Sequence, residues 1–218
     1  MDGQTPGTRM IGGEQEQRGP DVASLLADPS SPPDLAGQLA HQLDGMAQER
    51  RIASVMKLKR RQLARLFEAA AANEPLRLTD LVPAETPPLT EVVHEGKNSL
   101  PLFTRFQKRI CRPPASASAP SELWGYNEQT FRTATGPGFF VAYVTNRGEM
   151  LIDYGRLPPD KPPGWPTIIP NSARLSRFIY YGTTDVIRRV SKHVAIGRAQ
   201  RNGRPFDAWF ALVRRQET

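Results

Sequence analysis

Fourteen of the chain's 17 aromatic side chains lie in its last 98 residues, Ser121–Thr218, among them all three Trp and all five Tyr. Aromatic side chains bury the most apolar area per residue and anchor cores and binding surfaces alike. The imbalance predicts a compact domain over residues 121–218, carried by a front half with little to build a core from. Charge divides at the same place. Residues 1–120 hold 15 basic and 14 acidic side chains, whereas residues 121–218 hold 14 and 8, so +6 of the net +7 falls in the aromatic half.

The composition excludes several chemistries. Cys111 is the single cysteine, which rules out an intrachain disulfide and a four-cysteine zinc site. The first 20 residues carry no basic-then-apolar signal pattern. No apolar run approaches the roughly 20 residues a bilayer span requires. The expectation is a soluble cytoplasmic protein. A phosphate-binding G-x-x-x-x-G-K-S/T loop is absent, as are H-E-x-x-H and the G-x-S-x-G nucleophile elbow. No cofactor and no metal is expected.

Residues 1–33 are rich in Gly, Pro, Gln, Ser and Asp and poor in bulky apolar residues, which predicts a disordered tail. Residues 34–73 read as a basic amphipathic helix or helix pair. Asp34 is a plausible N-cap; Leu35, Leu39, Leu43, Met46, Ile52, Met56, Leu63, Leu66 and Ala70 recur at helical spacing, with a break near Gly45. Between Glu49 and Glu68 there are only basic charges. That face either docks on an anionic partner or is solvated while the Leu/Met stripe packs on the domain or on a second copy of the chain. The last alternative is self-association through residues 35–72.

Residues 74–120 form a connector whose eight prolines prevent long regular elements. Leu76–Val82 is a short strand or turn within it. Phe103, Phe106 and Ile110 predict a short helix near 100–111. Cys111 lies among Lys108, Arg109 and Arg112, which would lower its pKa if they approach it; the competing reading is a buried, inert thiol.

Three cues organise residues 121–218. Phe139–Thr145 and Glu149–Tyr154 flank the turn Asn146-Arg147-Gly148 and predict a hairpin. Leu175, Phe178, Ile179, Gly182, Val186 and Val190 share one face of a predicted helix after Pro170. Asn202-Gly203 predicts a second hairpin, because a two-residue type I′ turn needs positive φ at both centres. With Leu123–Thr133 as a further strand, the predicted fold is α+β: a small antiparallel sheet in the order strand, hairpin, helix, hairpin, with the helix on one face. The proline-rich stretch Leu157–Pro170 is either bait for an aromatic-groove partner or an ordered crossover pinned by Trp165, Ile168 and Ile169.

The candidate binding residues are Trp124, Tyr126, Tyr154 and Trp165, at strand ends or in loops, and Arg174, Arg177, Arg188 and Lys192, on the helix face expected to point outwards. Stacking aromatics beside cations suit single-stranded nucleic acid or a protein hot spot. The leading expectation is therefore a non-catalytic module for an acidic protein or nucleic-acid partner. One alternative is a small enzyme with His193 as general base, near Asp153, Tyr154 or Asp185, in a pocket by the proline-rich crossover. Another is a structural protein that self-associates through its N-terminal helix.

Overall fold

The computed structural model describes residues 21–30, 32–101, 104–114, 121–129, 136–172, 180 and 182–216. Its centre is a closed barrel of eight antiparallel strands: β1 (Val92–Asn98), β2 (Arg105–Cys111), β3 (Glu122–Glu128), β4 (Phe140–Val144), β5 (Met150–Asp153), β6 (Thr183–Arg189), β7 (Val194–Arg201) and β8 (Arg204–Arg214). Each strand pairs with the next, and β8 returns to β1. With an even number of up-and-down strands the first and last run antiparallel, so closure leaves no free sheet edge. Ahead of the barrel lie helices α1 (Val22–Leu25), α2 (Leu35–Asp44), α3 (Gln48–Met56), α4 (Arg60–Ala69) and α5 (Leu78–Leu81), with a 3-10 turn at Ala70–Ala72.

The barrel corrects the α+β expectation of a small sheet with a helix on one face. Thr183–Arg189, inside the predicted helix, is a strand bonded on both sides. Arg105–Cys111, most of the predicted short helix, is likewise a strand between β1 and β3. In both, apolar residues three or four apart imitate a helical stripe. The period is two: Phe106, Lys108 and Ile110 face inwards, while Cys111 packs on the outside. On β6, Asp185 and Ile187 face inwards and Val186 outwards. Leu76–Val82, read as strand or turn, contains helix α5. The other half of the predicted helix, with Leu175, Phe178 and Ile179, lies outside the described residues. The barrel draws β1 and β2 from the expected connector. Val22 and Leu26, within the expected disordered tail, are buried.

Three apolar clusters hold the fold. Inside the barrel, Leu76, Leu81 and Val82 close one end over Ile110, Leu123, Met150 and Leu212. Outside, Leu39, Leu43, Val55, Leu63 and Leu66 pack on Val194, Ile196, Ala211 and Val213 of β7 and β8. The Leu/Met stripe of the helices is thus spent on their own barrel. Arg51 fastens this layer: buried, it donates to the carbonyls of Leu43 (2.8 Å) and Met46 (2.7 Å) at the end of α2. The third cluster lies outside β2–β4, where Trp165 of the proline-rich crossover packs on Tyr126 and Phe139. The Trp165 indole donates to Glu91 (2.7 Å), and Asn171 donates to the carbonyls of Phe139 and Tyr154. The crossover is an ordered strap.

The second hairpin turns at Asn202-Gly203, both with positive φ (52° and 73°), as a type I′ turn demands. Arg201 faces Arg204 as the two-residue loop requires, but a bulge near Arg198/Gln200 shifts the register beyond it by two residues. Trp209 faces Arg198 rather than Ile196, and Phe210 faces Gly197 rather than Ala195. A two-residue slip preserves the faces, so Trp209 stays outside and Phe210 inside.

Candidate active site in the barrel

Three inward glycines shape the interior. Gly96 faces Phe106, Gly125 faces Phe140, and Gly197 faces Phe210. A Cβ at any of the three would run into the facing ring. Bare backbone lets each phenyl ring lie against the wall, a cross-strand device that keeps both ring and strand in place.

These rings surround one cation. Lys108 is 1% exposed. Its Nζ lies 4.7 Å from the centroid of Phe140, 5.0 Å from Phe210, 5.1 Å from Tyr154 and 5.7 Å from Phe106, within the range where ring faces attract an ammonium. Nζ donates to Asn127 Oδ1 (2.9 Å) and to Tyr154 Oη (2.5 Å). Asn127 Nδ2 in turn donates to Tyr154 Oη (3.2 Å). The Asp185 carboxylate lies beside the Tyr154 hydroxyl, and its Oδ2 is 3.9 Å from Nζ. Tyr154 stacks on Tyr180 with centroids 5.0 Å apart.

Burial moves the protonation equilibria towards the neutral forms. It lowers the Lys108 ammonium to about 8, although the Asp185 charge opposes it. It raises Asp185 to about 6, held there against burial by Lys108 and by the Tyr154 hydrogen bond. The Tyr154 hydroxyl is pushed well above its ordinary value and Tyr180 to about 12, burial being the main cause in both. At neutral pH the site is an ammonium–carboxylate pair with a protonated phenol beside both.

The pair stands at the inner end of a cavity of about 420 Å³ that opens at the barrel end opposite α5. Leu100, Ala199, Phe206 and Ala208 give its walls an apolar character, and Arg201 stands at the rim. Leu100 and Phe206 are two of the three large apolar side chains exposed among the described residues. The mouth therefore presents apolar surface to solvent.

The residues singled out from sequence are distributed differently from expectation. Trp124, Tyr126 and Trp165 converge, but on the outer face of β3 under the strap. Tyr154 alone of the four aromatics lines the cavity. Arg174 and Arg177 lie outside the described residues. Arg188 lies on β6, donating to the Phe67 carbonyl (2.8 Å) and covering the Phe67 ring at 4.0 Å, so it joins α4 to the barrel. Exposed Lys192 lies in the β6–β7 turn, where its backbone N–H donates to Asp44. No helix face unites Arg188 and Lys192.

His193 sits at the closed end of the barrel, away from Tyr154 and Asp185. It lines a space of only about 10 Å³, and its Nδ1 lies 3.2 Å from the Arg214 guanidinium. Burial, with Arg51 and Arg214, lowers it to about 4. Cys111 is buried, and burial followed by the charges of Glu91 and Asp160 pushes its thiol up to about 12. No group of three or more His, Cys, Asp or Glu suited to a metal ion occurs among the described residues. No helix there is long and apolar enough to cross a membrane.

The sequence offers Asp185 only as a possible neighbour of His193 and Lys108 only as a charge beside Cys111, and it does not single out Asn127. The available signal was alternation: Phe106, Lys108 and Ile110 define one face of a strand, and Asp185 shares a face with Ile187. A charged residue on an apolar face breaks the pattern that would reveal it. Comparison with protein families, with curated protein sequences and with solved structures finds no match.

Proposed function

We propose that the barrel encloses a small, largely apolar molecule and presents the Lys108–Asn127–Tyr154–Asp185 cluster to its one polar group. The carrying observation is a charged pair buried at the inner end of an apolar cavity. A buried ion pair contributes little net stability compared with apolar residues of equal volume, so the fold alone does not call for it. Perturbed titratable groups in a cleft are the usual mark of a functional site. The cavity lies within the range of roughly 300–1,000 Å³ common to small-molecule sites, apolar walls with few polar groups being their usual make-up. Asn127 orients the amine, Tyr154 links it to the carboxylate, and the phenyl rings exclude water.

The test is binding of naphthylmethanol, an apolar probe with a single hydroxyl, followed by calorimetry. One saturable site is expected in the unaltered chain, and a loss of at least tenfold in affinity in Ala199→Phe, which fills the cavity from its wall. Equal affinity in the folded Ala199→Phe variant would place binding elsewhere and refute the reading.

A further inference from the structure

We propose that Lys108 is a covalent site, where the amine condenses with an aldehyde or ketone on an apolar, ring-bearing ligand to form a protonated Schiff base. This rests on the barrel being a small-molecule container and adds the class of ligand and the bond it makes.

Four observations converge on it. Lys108 is the one buried lysine of the chain's six; the others are exposed or half-buried. Its nitrogen stands at the inner end of the cavity, so a ligand that fills the apolar walls brings its leading atom to Nζ. An anionic head group would confront Asp185, 3.9 Å from Nζ, whereas a neutral carbonyl would not. The ring faces that hold an ammonium hold an iminium equally well, because charge and position are unchanged. Burial also favours the nucleophile. An amine titrating at about 8 rather than 10.5 has a few hundred-fold more of its free-base form near neutral pH, the route by which apolar pockets activate lysines.

The protons balance within the cluster. Transfer of one proton from Nζ through the Tyr154 hydroxyl to Asp185 leaves a neutral amine and a carboxylic acid. The nitrogen lone pair forms the C–N bond as the carbonyl π pair moves to oxygen. The proton lost by nitrogen passes to that oxygen and gives a carbinolamine. Asp185 then protonates the hydroxyl, the C–O bond breaks, water leaves, and the nitrogen lone pair forms the C=N bond. The products are an iminium and the Asp185 carboxylate, with no change of oxidation state.

The experiment treats the full chain with naphthaldehyde and sodium cyanoborohydride, whose hydride fixes any imine as a secondary amine, and maps the adduct by peptide mass spectrometry. The expected result is labelling of Lys108 at least tenfold over any other lysine, with a rate that rises through about pH 8 and is blocked by naphthylmethanol. Labelling in Lys108→Met should fall to the level of the exposed lysines; if that variant does not fold, the peptide map of the unaltered chain decides. Saturable binding of naphthylmethanol without preferential labelling of Lys108 would overturn the Schiff base and leave the container standing. Absence of both binding and labelling would overturn both.

Discussion

Lys108 Nζ and the carboxylate of Asp185 lie 3.9 Å apart inside the barrel, one carried by β2 and the other by β6, with side chains 2% and 6% exposed. The Tyr154 hydroxyl accepts from the ammonium and stands beside the carboxylate. Moving two charges out of water costs several kcal/mol per ion, and their attraction offsets this only when hydrogen bonds complete the site. Here Asn127, Tyr154 and the ring faces complete it for the ammonium. The arrangement holds a buried amine in place at a cost to the fold.

That cost makes a double-substitution test decisive. Lys108→Met strands Asp185 in an apolar interior and should lose about 3–5 kcal/mol, the usual penalty for breaking a buried pair. Lys108→Met with Asp185→Leu should recover most of the loss. Urea denaturation measures both, and a double variant as unstable as the sum of the two singles would show that the pair is not coupled.

The pH dependence separates His94 from the site. His94 is buried on β1, and burial, followed by the Arg214 charge, holds it at about 3. As pH falls below 6.5 the unfolded chain takes up a proton that folded His94 does not. Its contribution to stability is therefore present above 6.5 and declines towards pH 3 by about 1.4 kcal/mol per unit. Asp185 has the opposite sign. Its folded carboxyl, raised to about 6 from 3.8, protonates before the unfolded one, so its contribution grows as pH falls from 6 to 4. The two slopes oppose each other in that window. His94→Leu should gain on the unaltered chain steadily from pH 6.5 to 4. A stability difference independent of pH would show that His94 titrates normally.

The facing of Gly197 and Phe210 predicts a specific steric coupling. Gly197→Ala drives a methyl group into the Phe210 ring and should cost about 1–3 kcal/mol, as overpacking does. Phe210→Leu withdraws the ring and should make Gly197→Ala nearly harmless in that background. Additive losses in the thermal denaturation of the four chains would mean that the contact is not tight.

Arg51 supports the helical layer by geometry as well as charge. Its guanidinium spans the Leu43 and Met46 carbonyls, one in the last turn of α2 and one just beyond it. Arg51→Met should lose about 2 kcal/mol. Arg51→Lys should not restore it, because a single ammonium lacks the planar fork. Full recovery by lysine in chemical denaturation would reduce Arg51 to a simple point charge.

The elements legible from sequence were those whose local chemistry agrees with their place in the fold. The stripe from Leu35 to Ala70 gives helices α2–α4, and Asn146-Arg147-Gly148 and Asn202-Gly203 mark turns between strands. The strands bearing Lys108 and Asp185 were misread for one reason. Each puts a charge on the barrel's inner face, erasing the apolar alternation and leaving Phe106 and Ile110, or Val186 and Val190, at helical spacing. Charged residues on a buried face violate the local pattern, and that conflict hides the strands that carry them. Trp124, Tyr126 and Trp165 drew attention as large aromatics and are packing under the strap; Tyr154 belongs to the cavity because alternation from Ile152 turns it inwards.

The most direct measurement of ligand binding inside the barrel is an NMR titration with naphthylmethanol that follows the lysine ε-methylene groups and the alanine methyls together. Lys108, Ala199 and Ala208 should shift along one saturation curve while the exposed lysines Lys57, Lys59 and Lys192 stay in place. Unmoved Lys108 and Ala208 signals beside shifts confined to the outer helices would contradict a ligand in the barrel.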